Sequence, residues 1–173
     1  MDADRLIAML ERNGRVLATA VDGITPEDAK WRPDDGAWSI LEIIRHLFDE
    51  EQEDFRTRVE HTLRDPEAEW PSIDPAGWAT ERRYNDGDLD DAVKAFLERR
   101  GASVRWLRSL DGPNWGRTHT HPKLPPLRAG DVLVSWVAHD ALHLRQIAKR
   151  LYQLIDRDGG DYSVAYAGRW SDL

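Results

Sequence analysis

A chain of 173 residues is long enough to bury a real core in one domain, and 40% hydrophobic with 32% charged residues is the mix of an ordinary globular protein. A formal net charge of −8 argues against nucleic acid as a partner, because phosphate binding draws on basic patches. Cysteine is absent, which excludes disulfides, thiolate metal sites and a protein thiol nucleophile, so any metal must be held by His, Asp or Glu.

Met1-Asp2-Ala3-Asp4-Arg5 lacks the basic flank and apolar core of a secretory signal. No later apolar run approaches the roughly 20 residues that span a bilayer, so a cytoplasmic chain without membrane contact is expected. The first helix is predicted from about Asp4 to Val21, with Leu6, Ile7, Leu10, Leu17 and Val21 at helical spacing and Gly23 just beyond. Thr25-Pro26-Glu27-Asp28 reads as a short capped turn, with Thr25 as N-cap and Pro26 in the first helical position. Trp31 to Gly36 is loop by its turn residues. The second helix opens on a capping box, Ser39-Ile40-Leu41-Glu42, and Trp38 and Ile43 can staple its start. It is predicted to run to about Arg64, where Asp65-Pro66 stops it.

Residues 65–87 hold Pro66, Pro71, Pro75, Gly77 and Gly87 together with Trp70 and Trp78, the pattern of a long crossover connection. A third helix follows from about Asp88 to Leu110 despite Gly101, and Asp111-Gly112-Pro113 ends it. Residues 114–126 read as loop, and the fourth helix runs from about Ala129 to Leu154. Four amphipathic helices without strand-like alternation predict an all-α four-helix bundle with long crossover connections over residues 1–155. Residues 156–173 form a tail, docked on the bundle or on a partner subunit. Of the eight tryptophans, Trp38, Trp106 and Trp136 fall on helices and are most simply core. Trp70, Trp78 and Trp115 lie in connections, where they either pack into the core or line a pocket.

Chemistry concentrates on the fourth helix. In His139-Asp140-Ala141-Leu142-His143 the two histidines are one turn apart on one face, and a divalent ion can bind a ring nitrogen of each. They share a polar stripe with Ser135, Gln146 and Arg150. A third ligand has to come from elsewhere, and His46 is the best candidate. It lies on the second helix with Glu42, Asp49, Glu50 and Glu53, either as a surface histidine among carboxylates or as a ligand with an acidic neighbour to orient it; periodicity does not separate the two. The pair is a near miss to the His-Glu-x-x-His zinc protease signature, with Asp140 one methylene short in the Glu position and no obvious third ligand beyond His143. His119 and His121 alternate in a Pro-rich loop, and His61 reads as solvated.

These motifs, in this order, resemble the DinB-like (DinB/YfiT) superfamily. Ala37-Trp38-Ser39-Ile40-Leu41-Glu42-Ile43-Ile44-Arg45-His46-Leu47 looks like the family's second helix, Thr120-His121-Pro122 like its "H-P" loop, and Val137 to Ile147 like its "H-x-x-x-H-x-x-Q-I" fourth helix. The likeness covers about residues 5–155; one departure is Arg128, where a Thr cap is more usual. It implies a bundle that is often a homodimer, in which His46, His139 and His143 bind nickel, zinc or a similar divalent ion, with a low-molecular-weight thiol such as mycothiol, bacillithiol or glutathione as cosubstrate. Three expectations follow. The first is a metal-dependent thiol S-transferase that turns an exogenous thiol on an electrophilic small molecule. The second is a metal-dependent hydrolase that activates water at the same ion, with Asp140 or a carboxylate near His46 as base. The third is a non-catalytic, stress-related binding protein.

Overall fold

A computed structural model describes residues 1–33, 36–120 and 125–172. Its helices are α1 (Ala3–Ala20), α2 (Pro26–Lys30), α3 (Ile40–Glu50), α4 (Thr57–Arg64), α5 (Pro75–Glu81), α6 (Leu89–Ser109) and α7 (Ala129–Asp158). The four-helix bundle is formed by α1, α3 continued into α4, α6 and α7, with α1 against α6 and α7, α3 against α6, and α4 against α7. No helix among the described residues is long and apolar enough to cross a membrane.

The caps form where the turn chemistry requires them. The Ser39 hydroxyl accepts from the Glu42 backbone N–H, and the Glu42 carboxylate accepts from the Ser39 backbone N–H at 2.9 Å. On α7 the N-cap Arg128 has no capping hydroxyl. Asp131 serves instead, accepting from the Arg128 backbone N–H and from its guanidinium. In the loop at 31–36, Asp34 and Asp35 lie outside the described residues, as do His121 and Pro122 of the predicted "H-P" loop.

Several features depart from the sequence expectation. The second helix has its predicted extent, but Glu51–Arg56 is wound as a π-helix, one extra residue per turn. The crossover contains the short α5 and a 3₁₀ turn, Tyr84–Asp86. The loop at 114–126 is not wholly irregular: β1 (Thr118–His119) pairs antiparallel with β2 (Leu127–Arg128). The last helix runs about a turn past Leu154, to Asp158. Beyond it the tail turns back onto its own chain, where the Tyr152 hydroxyl donates to the Gly168 carbonyl at 3.2 Å and the Tyr152 ring meets Trp170.

The core is two apolar clusters with a charged layer between them. One gathers Leu17, Ile40, Ile43, Ile44, Leu47, Phe96, Ile147 and Leu154; the other Ile7, Leu10, Val59, Val104, Leu107, Leu133, Trp136 and Val137. Trp70 and Trp78 are buried and Trp115 packs on the second cluster, so the connection tryptophans serve packing. Between the clusters lies Arg100, 3% exposed. Its guanidinium donates to both oxygens of Asp140 at 2.9 and 2.8 Å, to Glu51 at 2.9 Å and to the Leu10 carbonyl at 2.8 Å. The Trp136 indole N–H also donates to Glu51. Gly14 on α1 leaves the room this requires, since a Cβ there would lie 3.1 Å from Arg100 Cγ.

Removing one partner of a buried ion pair strands the other charge. Arg100→Leu is therefore expected to destabilise the fold by about 3–5 kcal/mol, read as a lower urea midpoint. A loss under about 1 kcal/mol would mean that Glu51 and Asp140 are satisfied without the guanidinium.

Candidate metal centre

The three predicted histidines meet. α3 carries His46, α7 carries His139 and His143, and one ligating atom from each falls within 4.8 Å of the others. The ring of His46 is 4.7 Å from that of His143 and 5.4 Å from that of His139. The Nε2 atoms of His139 and His143 are 3.0 Å apart. Behind His143, its Nδ1 is 2.9 Å from Gln146 Oε1, so Nδ1 carries the hydrogen and Nε2 keeps its lone pair.

Two nitrogens bound to one ion at roughly 2.0–2.1 Å lie about 2.9–3.4 Å apart in octahedral or tetrahedral geometry. The 3.0 Å contact between His139 and His143 fits that range. The electrostatics fit as well. Burial, then the neighbouring imidazoles, lowers His46 from its ordinary 6.5 to about 3. Burial, with His143 and Arg100 nearby, lowers His139 to about 3. Burial also lowers His143, against the opposing effect of its bond to Gln146. All three rings are thus held neutral, with lone pairs available to a cation.

Aromatic side chains flank the cluster. Trp38 lies 4.9 Å from the His46 ring, and Phe55, stacked on Trp136, lies 4.9 Å from His139. Beside His46, Glu50 is buried and hydrogen-bonded to the buried Asp54; burial pushes both carboxyls above the usual range, and the Asp54 charge adds to the rise at Glu50. An apolar groove of about 370 Å³ between α1 and α7 is lined by Leu6, Met9, Val16, Val134 and Leu144 and by none of the histidines.

Asp140, the residue singled out as a base, is placed elsewhere. It is 1% exposed, and both of its oxygens accept from Arg100. One step along an α-helix turns a side chain by 100°, which carries Asp140 off the histidine face and into the charged layer. His119 is also apart from the centre: its ring stacks on Trp70 at 4.3 Å and its Nδ1 donates to the Pro66 carbonyl at 2.7 Å. His61 is half-buried rather than solvated. Sequence reasoning missed Phe55, which lies in the π-helical segment, and did not choose among the carboxylates around His46, because their partners are distant in sequence.

The sequence model of the DinB superfamily matches residues 9–147. Among solved structures, the chain is similar to YfiT from Bacillus subtilis, described as a probable metal-dependent hydrolase with an unusual four-helix bundle topology. The two agree with a TM-score of 0.78 at 21% sequence identity, over 88% of this chain and 87% of that one. At that identity the likeness speaks for the fold. No curated protein matches the sequence.

The depressed histidines link stability to pH. The unfolded chain binds protons on His46 and His139 below about 6.5, whereas the folded metal-free chain binds them only near 3. Stability from these two groups is complete above 6.5 and lost as pH falls toward 3. Urea midpoints of the metal-free protein should fall across that window, and His139→Gln should make the fall shallower. Equal slopes would show that His139 is protonated in the folded chain.

Proposed function

The chain belongs to the DinB superfamily, and we propose that His46, His139 and His143 hold one divalent ion, nickel or zinc, at which a small-molecule nucleophile is activated. The observation that carries this reading is the convergence of three neutral imidazoles, with two Nε2 atoms 3.0 Å apart. Nitrogen donors suit ions of borderline softness, and three of them leave room for solvent and substrate. The ion supplies Lewis acidity, which lowers the pKa of a bound water or thiol and polarises an electrophile.

The chain's own residues supply orientation and surroundings. Gln146 fixes the tautomer of His143. Trp38 and Phe55 give the centre aromatic walls, which suit an apolar or flat group on the small molecule. Asp140 is committed to Arg100 and offers no proton acceptor. That favours a nucleophile that ionises with little help, and a thiol is intrinsically more acidic than water. The first reading is therefore a thiol S-transferase: an exogenous low-molecular-weight thiol attacks an electrophilic carbon, its proton passes to solvent, and the leaving group departs with the electron pair. A chain without cysteine is consistent with sulfur arriving on a cosubstrate. A second reading, metal-dependent hydrolysis, is favoured by the likeness to YfiT and by its description.

Untagged protein is expected to carry about one equivalent of divalent metal per chain by elemental analysis, and His143→Ala is expected to lose it. The loaded protein should then turn over electrophilic probes only when glutathione, bacillithiol or mycothiol is supplied. Turnover indifferent to thiol would select the hydrolase, and a wild-type chain that cannot be loaded would sink both.

A further inference from the structure

We propose that Glu50 is the positioning residue of this centre: its carboxylate accepts the Nδ1–H of His46 and so presents Nε2 of that ring to the ion. The assignment rests on the metal reading above and is argued from how the acids of the second helix are used.

Six carboxylates lie on that helix between Glu42 and Asp54, and five have cationic partners, Glu51 through Arg100. Glu42 accepts from the Ser39 backbone N–H at 2.9 Å and from Arg32 Nε at 2.8 Å. Asp49 accepts from the Tyr84 hydroxyl and pairs with Arg82 at 2.7 Å. Glu53 takes two N–H groups from Arg82, at 2.6 and 3.0 Å. Asp54 pairs with Arg58 at 2.5 Å. Among the described residues Glu50 has no cation of its own; its carboxyl hydrogen-bonds with that of Asp54, it is 4% exposed, and its Oε1 has no hydrogen-bond partner. The atom it faces is His46 Nδ1, 4.0 Å away, on a side chain 5% exposed and likewise without a hydrogen-bond partner there.

Two buried, complementary and unsatisfied atoms that face each other are costly unless some state of the protein joins them. The state that joins them has hydrogen on Nδ1, and that tautomer frees the Nε2 lone pair. His46 and Glu50 are four apart, one turn along α3, so a small rotation of either side chain closes the gap. Gln146 already does the same for His143 from three residues along α7. Consecutive residues are both buried yet serve different partners, because one helical step turns the side chain by about 100°: Glu50 faces His46 and Glu51 faces Arg100.

The test uses the full chain, stripped of metal and titrated with Zn²⁺ against a competing chelator and with Co²⁺ for its visible spectrum. Glu50→Ala should bind Zn²⁺ about 10–100-fold more weakly and shift the Co²⁺ bands. Glu50→Gln, whose amide oxygen still accepts the N–H, should recover most of that affinity and a spectrum close to wild type. This recovery is what a purely structural role would not give, and it is readable even if the alanine variant fails to fold. Both variants binding as wild type does, with the wild-type spectrum, overturns the assignment. So does a Gln variant as weak as Ala while both remain folded. A wild-type chain that takes up neither ion overturns the metal reading itself, which keeps the two failures distinct.

Discussion

A buried guanidinium must find acceptors for its N–H groups, and in this bundle that requirement fixes how four helices meet. Arg100 comes from α6; its acceptors come from α1, the π-helical segment and α7, as Leu10 O, Glu51 and Asp140. Apolar contacts alone tolerate sliding, because one leucine fits a cluster much as another does. A planar fork bonded to two carboxylates and a carbonyl has one register. Compared with a well-packed apolar layer, such a buried network adds little net stability. Its effect is specificity: it splits the core into two clusters and aligns them along the bundle axis.

The centre inherits its geometry from that layer. Asp140 is pinned toward α6, and His139 is its immediate neighbour on the same helix. With the rotation of α7 set by Asp140, the face carrying His139 and His143 is turned toward α3, where His46 lies. On the other side, Glu51 is held by Arg100 and by the Trp136 indole, and the residue before it, Glu50, is delivered beside His46. The two walls of the site are thus registered against each other through one arginine, whose hydrogen bonds go to Leu10, Glu51 and Asp140.

Much of this was legible in the sequence, and the illegible part has a physical reason. The caps at Ser39 and Thr25 and the apolar spacing of α1 and α7 are local signals, and the structure follows them. The three histidines were legible as a candidate set because two share a turn and the third sits in a well-marked helix. What periodicity could not supply was the direction of charged residues. Asp140 looked like chemistry because it stands beside His139, yet its partner is forty positions away on α6. Glu50 looked like one acid among several because the guanidinium partners that take its neighbours come from distant positions, Arg82 for Asp49 and Glu53 and Arg100 for Glu51. Long-range charge pairing and helix widening are settled by tertiary contact, so neither leaves a short-range trace.

Charge accounting connects the two halves of the molecule. The buried layer holds one guanidinium against two carboxylates, Glu51 and Asp140, and Arg100 is near enough to His139 to disfavour its protonation. The three neutral imidazoles lie near that layer, with the buried Glu50 facing His46 and Asp54 beside Glu50. A proton is a poor guest there, since an imidazolium would be desolvated with two other rings against it. Three neutral lone pairs within reach of one another suit a divalent cation better than a proton. The arrangement that orders the core therefore also keeps the centre neutral, since Arg100 and burial together disfavour a protonated His139.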